Sequence, residues 1–310
     1  MLLYFAPIRG ITDFIYRTIY AEHFQGFDGA LAPFIPTVKG RTVKHSHIRD
    51  VLPENNKRLP ITPQIIGNNP VEFVALSKKL FDLGYQTVNW NLGCPSPQVT
   101  KKKRGAGLLP NPERIKSFLD HVVPQIPNKL SIKTRLGLNS KEEMRKWLPV
   151  MNEFPLAGII MHPRTGIQLY EGRVDLDGFE EFEKASRRPV VYNGDILNKE
   201  SFLKLQARFP EIDKWMIGRG ALAAPFLPEI LKGRETETSQ IYPKIKAFHD
   251  DLLEGYTAVI KNSGNVVDKM KGIWFYLSRS FPEDTAFLKR IQKTKRLEHY
   301  KEVVEEIFTC

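Results

Sequence analysis

Cys94 stands between a glycine and a proline in the run NWNLGCPSPQV (89–99), directly after an apolar-aromatic stretch. The chain has one other cysteine, Cys310, too few for a disulfide framework and suited to a reducing compartment. Pro95 fixes φ and lacks a donor, which stiffens the loop beside the sulfur. Three readings are open for such a thiol. It is a nucleophile, which needs a base partner and a lowered pKa. It is a proton donor, which needs only to stay protonated and to reach its target. Or it is a small apolar residue in a tight turn. No base adjoins it in sequence.

Other reactive residues fall at comparable places. In SIKTRLG, Lys133 and Arg135 share one face of a strand, because side chains alternate with period two. An inward cationic pair is costly unless it meets an anion, an electron-rich cofactor such as a reduced flavin, or a carboxylate from elsewhere. IIMHPRTG ends an apolar run with His162 and places Arg164 just beyond. That histidine is read either as structural or as functional. Without a second histidine or cysteine at ligand spacing, no metal site is expected. In VVYNGDI and MIGRGALAAPF, Gly194, Gly218 and Arg219 follow apolar runs. Glycine there lets backbone N–H groups approach a ligand, and a helix N-terminus behind it favours an anion. These residues are candidates for a phosphate-bearing ligand.

The elements that must position these groups are legible as eight short β-type runs: 2–7, 29–34, 61–66, 87–92, 130–135, 157–162, 189–194 and 214–219. Amphipathic helical segments such as PVEFVALSKKLFDLG (70–84) separate them. Strand and helix repeated eight times predict a (β/α)₈ TIM barrel. A doubly wound open sheet is the competing fold, and it normally places a glycine-rich loop after its first strand, which APIRGITD is not. In a barrel, the ends of all eight runs converge on one rim: Pro7 and Arg9, Gln64, Asn91 and Cys94, Lys133 and Arg135, His162, Asn193 and Asp195, Gly218 and Arg219.

The polar stretch KGRETETSQ (232–240) reads as a linker, and the chain beyond it reads as helical. The predicted organisation is a catalytic barrel over 1–235 and a small all-helical domain over 236–310. The N-terminal run is too short for a signal peptide, and no apolar stretch approaches the roughly 20 residues of a membrane span. The expectation is a cytoplasmic protein.

The formal charge is +11 and the sequence pI is near 9.5, a surplus that suits a polyanionic partner. The cations cluster. Lys101, Lys102, Lys103 and Arg104 follow the thiol directly. Residues 37–58 add Lys39, Arg41, Lys44, Arg49, Lys57 and Arg58, and KRIQKTKR (289–296) adds a third basic segment, with Tyr300 close by. Three such segments favour nucleic acid over a plain solvated face.

Taken together, APIRGITDFIYR, PQIIGNNP, NWNLGCPSPQV followed by GAGLL, SIKTRLG, MHPRTGIQLYEG, PVVYNGDI and MIGRGALAAPF resemble the tRNA-dihydrouridine synthases, flavoenzymes that reduce uridine in RNA. The resemblance runs through the barrel nearly end to end, and the helical tail fits that family's RNA-binding domain in weaker detail. It implies FMN at the C-terminal rim. Pro7, Ile8 and Arg9 would line the isoalloxazine, Gln64 and Lys133 would hydrogen-bond it, and His162 would lie beside it. Asn193, Gly194, Asp195, Gly218 and Arg219 would grip the ribityl phosphate. Cys94 would be the catalytic acid. Asn91, Arg135 and Arg164 would meet the flipped uridine or nearby RNA, with Lys101–Arg104 as further RNA contacts. NADPH, or NADH, would be the reductant, tRNA the substrate and a monomer the working form.

One motif departs. The family commonly reads Pro–Met–Glu–Gly where this chain has Pro7–Ile8–Arg9–Gly10. The charge at position 9 is reversed, so the motif's backbone contacts carry over and its side-chain role does not. Two other functions compete. A flavin reductase of a free pyrimidine or another small molecule would use the same barrel, would leave the basic segments idle and would keep its turnover without 236–310, and within the family itself ribosomal RNA is the alternative substrate to tRNA. A non-catalytic RNA-binding protein would have no use for Cys94, Lys133 and His162.

Overall fold

The prolines at positions 33 and 63 shape the sheet. Proline cannot donate to a β-ladder, so each interrupts a strand without ending it. The computed structural model describes residues 1–40, 43–234, 237–281 and 286–309. Among these, ten strand segments form: β1 (Leu2–Phe5), β2 (Gly29–Leu31), β3 (Ile35–Pro36), β4 (Ile61–Thr62), β5 (Gln64–Ile66), β6 (Thr87–Leu92), β7 (Lys129–Gly137), β8 (Gly158–Thr165), β9 (Val190–Tyr192) and β10 (Lys214–Ile217). Only Pro63 separates β4 from β5, and Ala32–Phe34 separate β2 from β3. Each of those pairs is one stave. Every pairing is parallel, β2 with β4 and β3 with β5, and β1 lies between β2 and β10. The order therefore closes on itself as an eight-stave barrel, the predicted fold.

Period-two alternation divides the strand residues between two environments. Trp90 of β6 points outward, stacked on Phe118 at 4.0 Å. Its neighbours Asn89 and Asn91 point into the barrel. There Tyr4, Ala6, Leu31, Ile160, Val191 and Met216 form a small inner cluster of their own. The remaining core lies between strands and surrounding helices. Helix Pro70–Asp82 is typical. Asn69 caps it by accepting from the Val71 and Glu72 amides, Pro70 takes its first position, and Phe73, Leu76, Ser77 and Leu80 form its buried face.

Beyond the barrel, helices Thr238–Val259, Ser263–Leu277, Ala286–Lys293 and Leu297–Thr309 form the tail. The first lies along helix Phe14–His23, with Phe248 edge-on to Tyr16 at 5.5 Å. The barrel and the tail thus share one continuous core. The boundary expected at residue 235, like Arg41 and Cys310, lies outside the described residues. Tyr300 is fully buried. Its hydroxyl accepts from Trp274 Nε1 at 2.8 Å and lies 2.6 Å from His249 Nε2, so it holds the tail together and is no part of the basic surface.

No described helix is long and apolar enough to cross a membrane.

Candidate active site at the barrel mouth

A hydrogen-bonded chain crosses the barrel interior towards Cys94. Asn89 Nδ2 donates to Ser131 Oγ at 2.9 Å, Gln64 Nε2 donates to Asn89 Oδ1 at 2.8 Å, and Asn91 Nδ2 donates to Gln64 Oε1 at 2.8 Å. Asn91 Oδ1 then accepts from the amides of Gly93 and Cys94, at 3.1 and 2.9 Å. Because each amide group has a partner, the side chains of Asn89, Gln64 and Asn91 are all fixed in orientation, and so is the turn that presents the thiol. The following loop returns to the same turn. The Ala106 amide donates to the Cys94 carbonyl at 3.0 Å, and Gly105 occupies the left-handed region at φ +55. A Cβ there would meet the Cys94 carbonyl oxygen at 2.6 Å.

Cys94 opens into a cavity of about 470 Å³ at the C-terminal ends of the staves, within the range of cofactor sites. Pro7, Ile8, Arg9, Gln64, Lys133, His162, Asn193, Gly194, Asp195, Gly218 and Arg219 line it, as do Asn91 and Arg135. Residues as far apart in sequence as Pro7 and Arg219 are brought together because the staves are parallel and all end on one rim. Asp195 is the one acidic side chain among the described lining residues, against Arg9, Lys133, Arg135 and Arg219. The cavity is therefore cationic.

Lys133 and Arg135 extend inward from β7 as their spacing requires. Arg135 is 2% exposed and donates to the carbonyls of Gly93 and Thr165 at 3.0 and 2.7 Å. Burial and the Arg135 charge together lower the Lys133 pKa to about 7. His162 is pushed well below its ordinary range by burial and by the surrounding Arg135, Lys133, Arg164 and Arg219. It is a neutral imidazole at physiological pH. Since the Arg164 guanidinium can only donate, the His162 Nε2 at 3.1 Å is the acceptor and the proton sits on Nδ1.

Arg164 does not reach the cavity. It is 1% exposed, pairs with both carboxylate oxygens of Asp195 at 3.0 and 2.6 Å, and donates to the Glu171 and Gly172 carbonyls. Asp195 has a left-handed backbone, φ +41, and its carboxylate also accepts from Arg219 at 2.8 Å. Asp195 is thus spent on two arginines, and Arg164 is spent on Asp195. Arg164 is therefore buried among internal partners and outside the cavity lining, where the motif alone implied a contact with the flipped uridine or nearby RNA. Lys101, Lys102 and Lys103 are exposed beside the thiol loop, outside the cavity lining. Arg104 Nε donates to Asn68 Oδ1 at 3.3 Å.

Several lining residues carry no signal in the sequence. Tyr170, half exposed, lies under both Arg135 and Arg219, whose guanidinium carbons stand 5.1 and 5.3 Å from its ring centre. Phe34 receives Arg9 in the same manner at 5.3 Å. Tyr276 enters from the tail. The string MHPRTGIQLYEG contains Tyr170, but nothing in the local pattern distinguishes it from any surface tyrosine. Among the described residues, no group of three or more His, Cys, Asp or Glu could hold a metal ion.

Residues 4–309 match the family described as Dihydrouridine synthase (Dus). The chain is 28% identical over 263 residues to a protein of Rhodobacter capsulatus named probable tRNA-dihydrouridine synthase, covering 84% of this chain and 80% of that one. It is likewise 28% identical over 307 residues to the tRNA-dihydrouridine(16) synthase of Shigella flexneri, covering 94% of both. Among solved structures, the old yellow enzyme homologue of Zymomonas mobilis superposes with TM-score 0.52 at 11% identity, over 76% of this chain and 90% of that one. A morphinone reductase variant superposes with TM-score 0.51 at 10% identity, over 77% and 90%. These two likenesses establish the barrel fold. The family match extends across both the barrel and the tail, and with it the chain belongs to the dihydrouridine synthase family.

Proposed function

We propose that this protein is a flavin-dependent oxidoreductase that uses FMN to reduce the C5–C6 double bond of uridines in tRNA, giving dihydrouridine, with Cys94 as proton donor. The observation that carries the reading is the convergence of Cys94 with a cationic cavity at the barrel mouth, in a chain that matches the family from 4 to 309.

Three features support FMN as the occupant. The cavity carries four cationic side chains against one carboxylate that is already paired. Arg135 and Cys94 are the charged and ionisable groups that shift Lys133, with no carboxylate among them, so its ammonium suits an electron-rich ring. Gly218 leaves room that a side chain would take: a Cβ there would meet Ala6 Cβ at 3.2 Å and Ile8 Cδ1 at 3.4 Å. Lys133, Gln64 and His162 would hold the ring, while Arg219 with the backbone at Gly194 and Gly218 would hold the phosphate.

When bound and reduced by NADPH or NADH, FMN supplies the hydride for C6 of uracil. Cys94 supplies the other half of the reduction by giving its S–H proton to C5, and the thiolate regains a proton from solvent. The protein fixes that proton's position through Asn91, which locks the Cys94 amide, and through Arg135, which anchors the Gly93 carbonyl. A uridine must leave its stack to reach the barrel mouth, at a cost of a few kcal/mol that is least in loops already unstacked. The exposed cations Lys101–Lys103, and Lys293, Lys295 and Arg296 in the tail, suit the surrounding phosphates. The working form is a cytoplasmic monomer.

Cys94→Ala tests the reading. The variant retains the flavin absorbance of the parent and loses most dihydrouridine formation, measured by position-resolved mapping of cellular RNA with and without the protein. Full dihydrouridine formation in the alanine variant would remove Cys94 from the chemistry.

A further inference from the structure

Helix Ser263–Leu277 belongs to the tail, yet one stripe of it faces the barrel mouth. Lys269, Gly272 and Tyr276 fall at i, i+3 and i+7 and so share a face. Tyr276 lines the cavity. Gly272 abuts Ile11, where a Cβ would come within 3.3 Å of Ile11 Cδ1. Lys269 Nζ donates to the Gly10 carbonyl at 2.6 Å and to Asp13 Oδ2 at 2.6 Å, and it stands 4.6 Å from the centre of the Tyr256 ring. Tyr256, from helix Thr238–Val259, donates its hydroxyl to the other Asp13 oxygen at 2.9 Å.

The segment gripped in this way is the loop after β1, which carries Pro7, Ile8 and Arg9 to the cavity. The barrel holds the two ends of this loop: the Ala6 amide donates to the Ile217 carbonyl at 2.8 Å, and Arg17 Nη1 donates to the Thr12 carbonyl at 2.6 Å. The Ile8 amide donates to Thr12 Oγ1 at 2.8 Å, and the amides of Ile11 and Thr12 donate to the Ile8 carbonyl at 3.0 Å. Gly10 turns the chain at φ +81, a conformation with no intrinsic rigidity in glycine. Between those ends the tail adds a clamp at the Gly10 carbonyl, through a charge that is 14% exposed.

We infer that Lys269 and Tyr256 are positioning residues for the cofactor loop, so that the tail completes the flavin site in addition to presenting cations to RNA. This rests on the reading of the cavity as an FMN site. It also means that removing 236–310 takes flavin affinity with it, whichever substrate is reduced. Such a deletion therefore does not separate an RNA reductase from a small-molecule one, contrary to the expectation from sequence.

The test uses the full-length protein and three variants. Lys269→Met removes the clamp. Tyr256→Phe removes one hydroxyl and keeps the packing. Lys261→Met removes an exposed tail cation away from the loop. FMN affinity is read without RNA by quenching of flavin fluorescence, and loop order by hydrogen exchange of residues 8–13. Lys269→Met weakens FMN binding about tenfold, which is about 1.4 kcal/mol. Tyr256→Phe weakens it by about threefold, the scale of one net hydrogen bond. Both speed exchange in the loop, while Lys261→Met matches the parent. FMN constants within about twofold of the parent in both clamp variants, with unchanged exchange, overturn the inference. If Lys269→Met does not fold, Tyr256→Phe decides. If the parent itself binds no FMN, the functional reading fails, and exchange alone then judges the clamp.

Discussion

Arg164→Met separates a buried positioning residue from an RNA contact. The substitution keeps much of the side chain's length and removes five donated hydrogen bonds: two to Asp195, one each to the Glu171 and Gly172 carbonyls, and one to His162. Deleting one partner of a buried ion pair costs about 3–5 kcal/mol, because the other charge is left uncompensated. Here Asp195 is 25% exposed and keeps Arg219 at 2.8 Å, which places the cost near the lower end, about 3 kcal/mol. With a urea slope of about 3 kcal/mol/M, the unfolding midpoint of the apoprotein falls by on the order of 1 M at unchanged slope. Asp195→Asn in the same background restores part of the loss, since the stranded carboxylate is then gone; the coupling is about 1–2 kcal/mol. A parallel titration with tRNA at several salt concentrations gives the second arm. A phosphate contact at Arg164 would lower the salt slope by about 1 when removed, whereas a residue spent inside the protein leaves it unchanged. A midpoint within about 0.2 M of the parent, together with a reduced salt slope, would refute the assignment.

Two further outcomes follow from the same site. Gly105→Ala forces a side chain into the left-handed region, at about 1–2 kcal/mol, and places its Cβ 2.6 Å from the Cys94 carbonyl oxygen; dihydrouridine formation drops by roughly tenfold or more with FMN affinity kept, and an alanine variant equal to the parent in both stability and rate counts against the Gly105–Cys94 coupling. Lys133 titrates near 7 in the folded protein against 10.5 in a free chain. Between those values the unfolded chain binds more protons, so Lys133 makes the apoprotein more stable as pH rises through that window. An electron-rich ligand raises Lys133 again, so binding of the proposed FMN at pH 8 takes up protons. Calorimetry in two buffers of different ionisation enthalpy reads this uptake, Lys133→Met abolishes it, and identical heats in the two buffers for the parent would contradict it.

Local chemistry made the barrel and most of its rim legible from sequence. Period-two alternation put Lys133 with Arg135, and proline and glycine punctuation placed Cys94, Gly194 and Gly218 at strand ends. All of these are decided within a few residues of chain, and parallel closure then brings such ends together. What a side chain touches once it is there is settled at longer range. Arg164 and Asp195 are 31 residues apart, and only the fold turns Arg164 from an RNA contact into a buried partner. Lys269 and Gly10 are 259 apart, and one lysine in a tail of mixed charge gives no sign that it grips the loop after β1. Tyr170 and Tyr276 became cavity wall, and Tyr300 became core, for the same reason. Strand-end spacing therefore names many of the residues at the barrel mouth, while the fold adds others such as Tyr170 and Tyr276 and sets which of them stay available, because a charge or hydroxyl already paired inside the protein is no longer free to bind anything else.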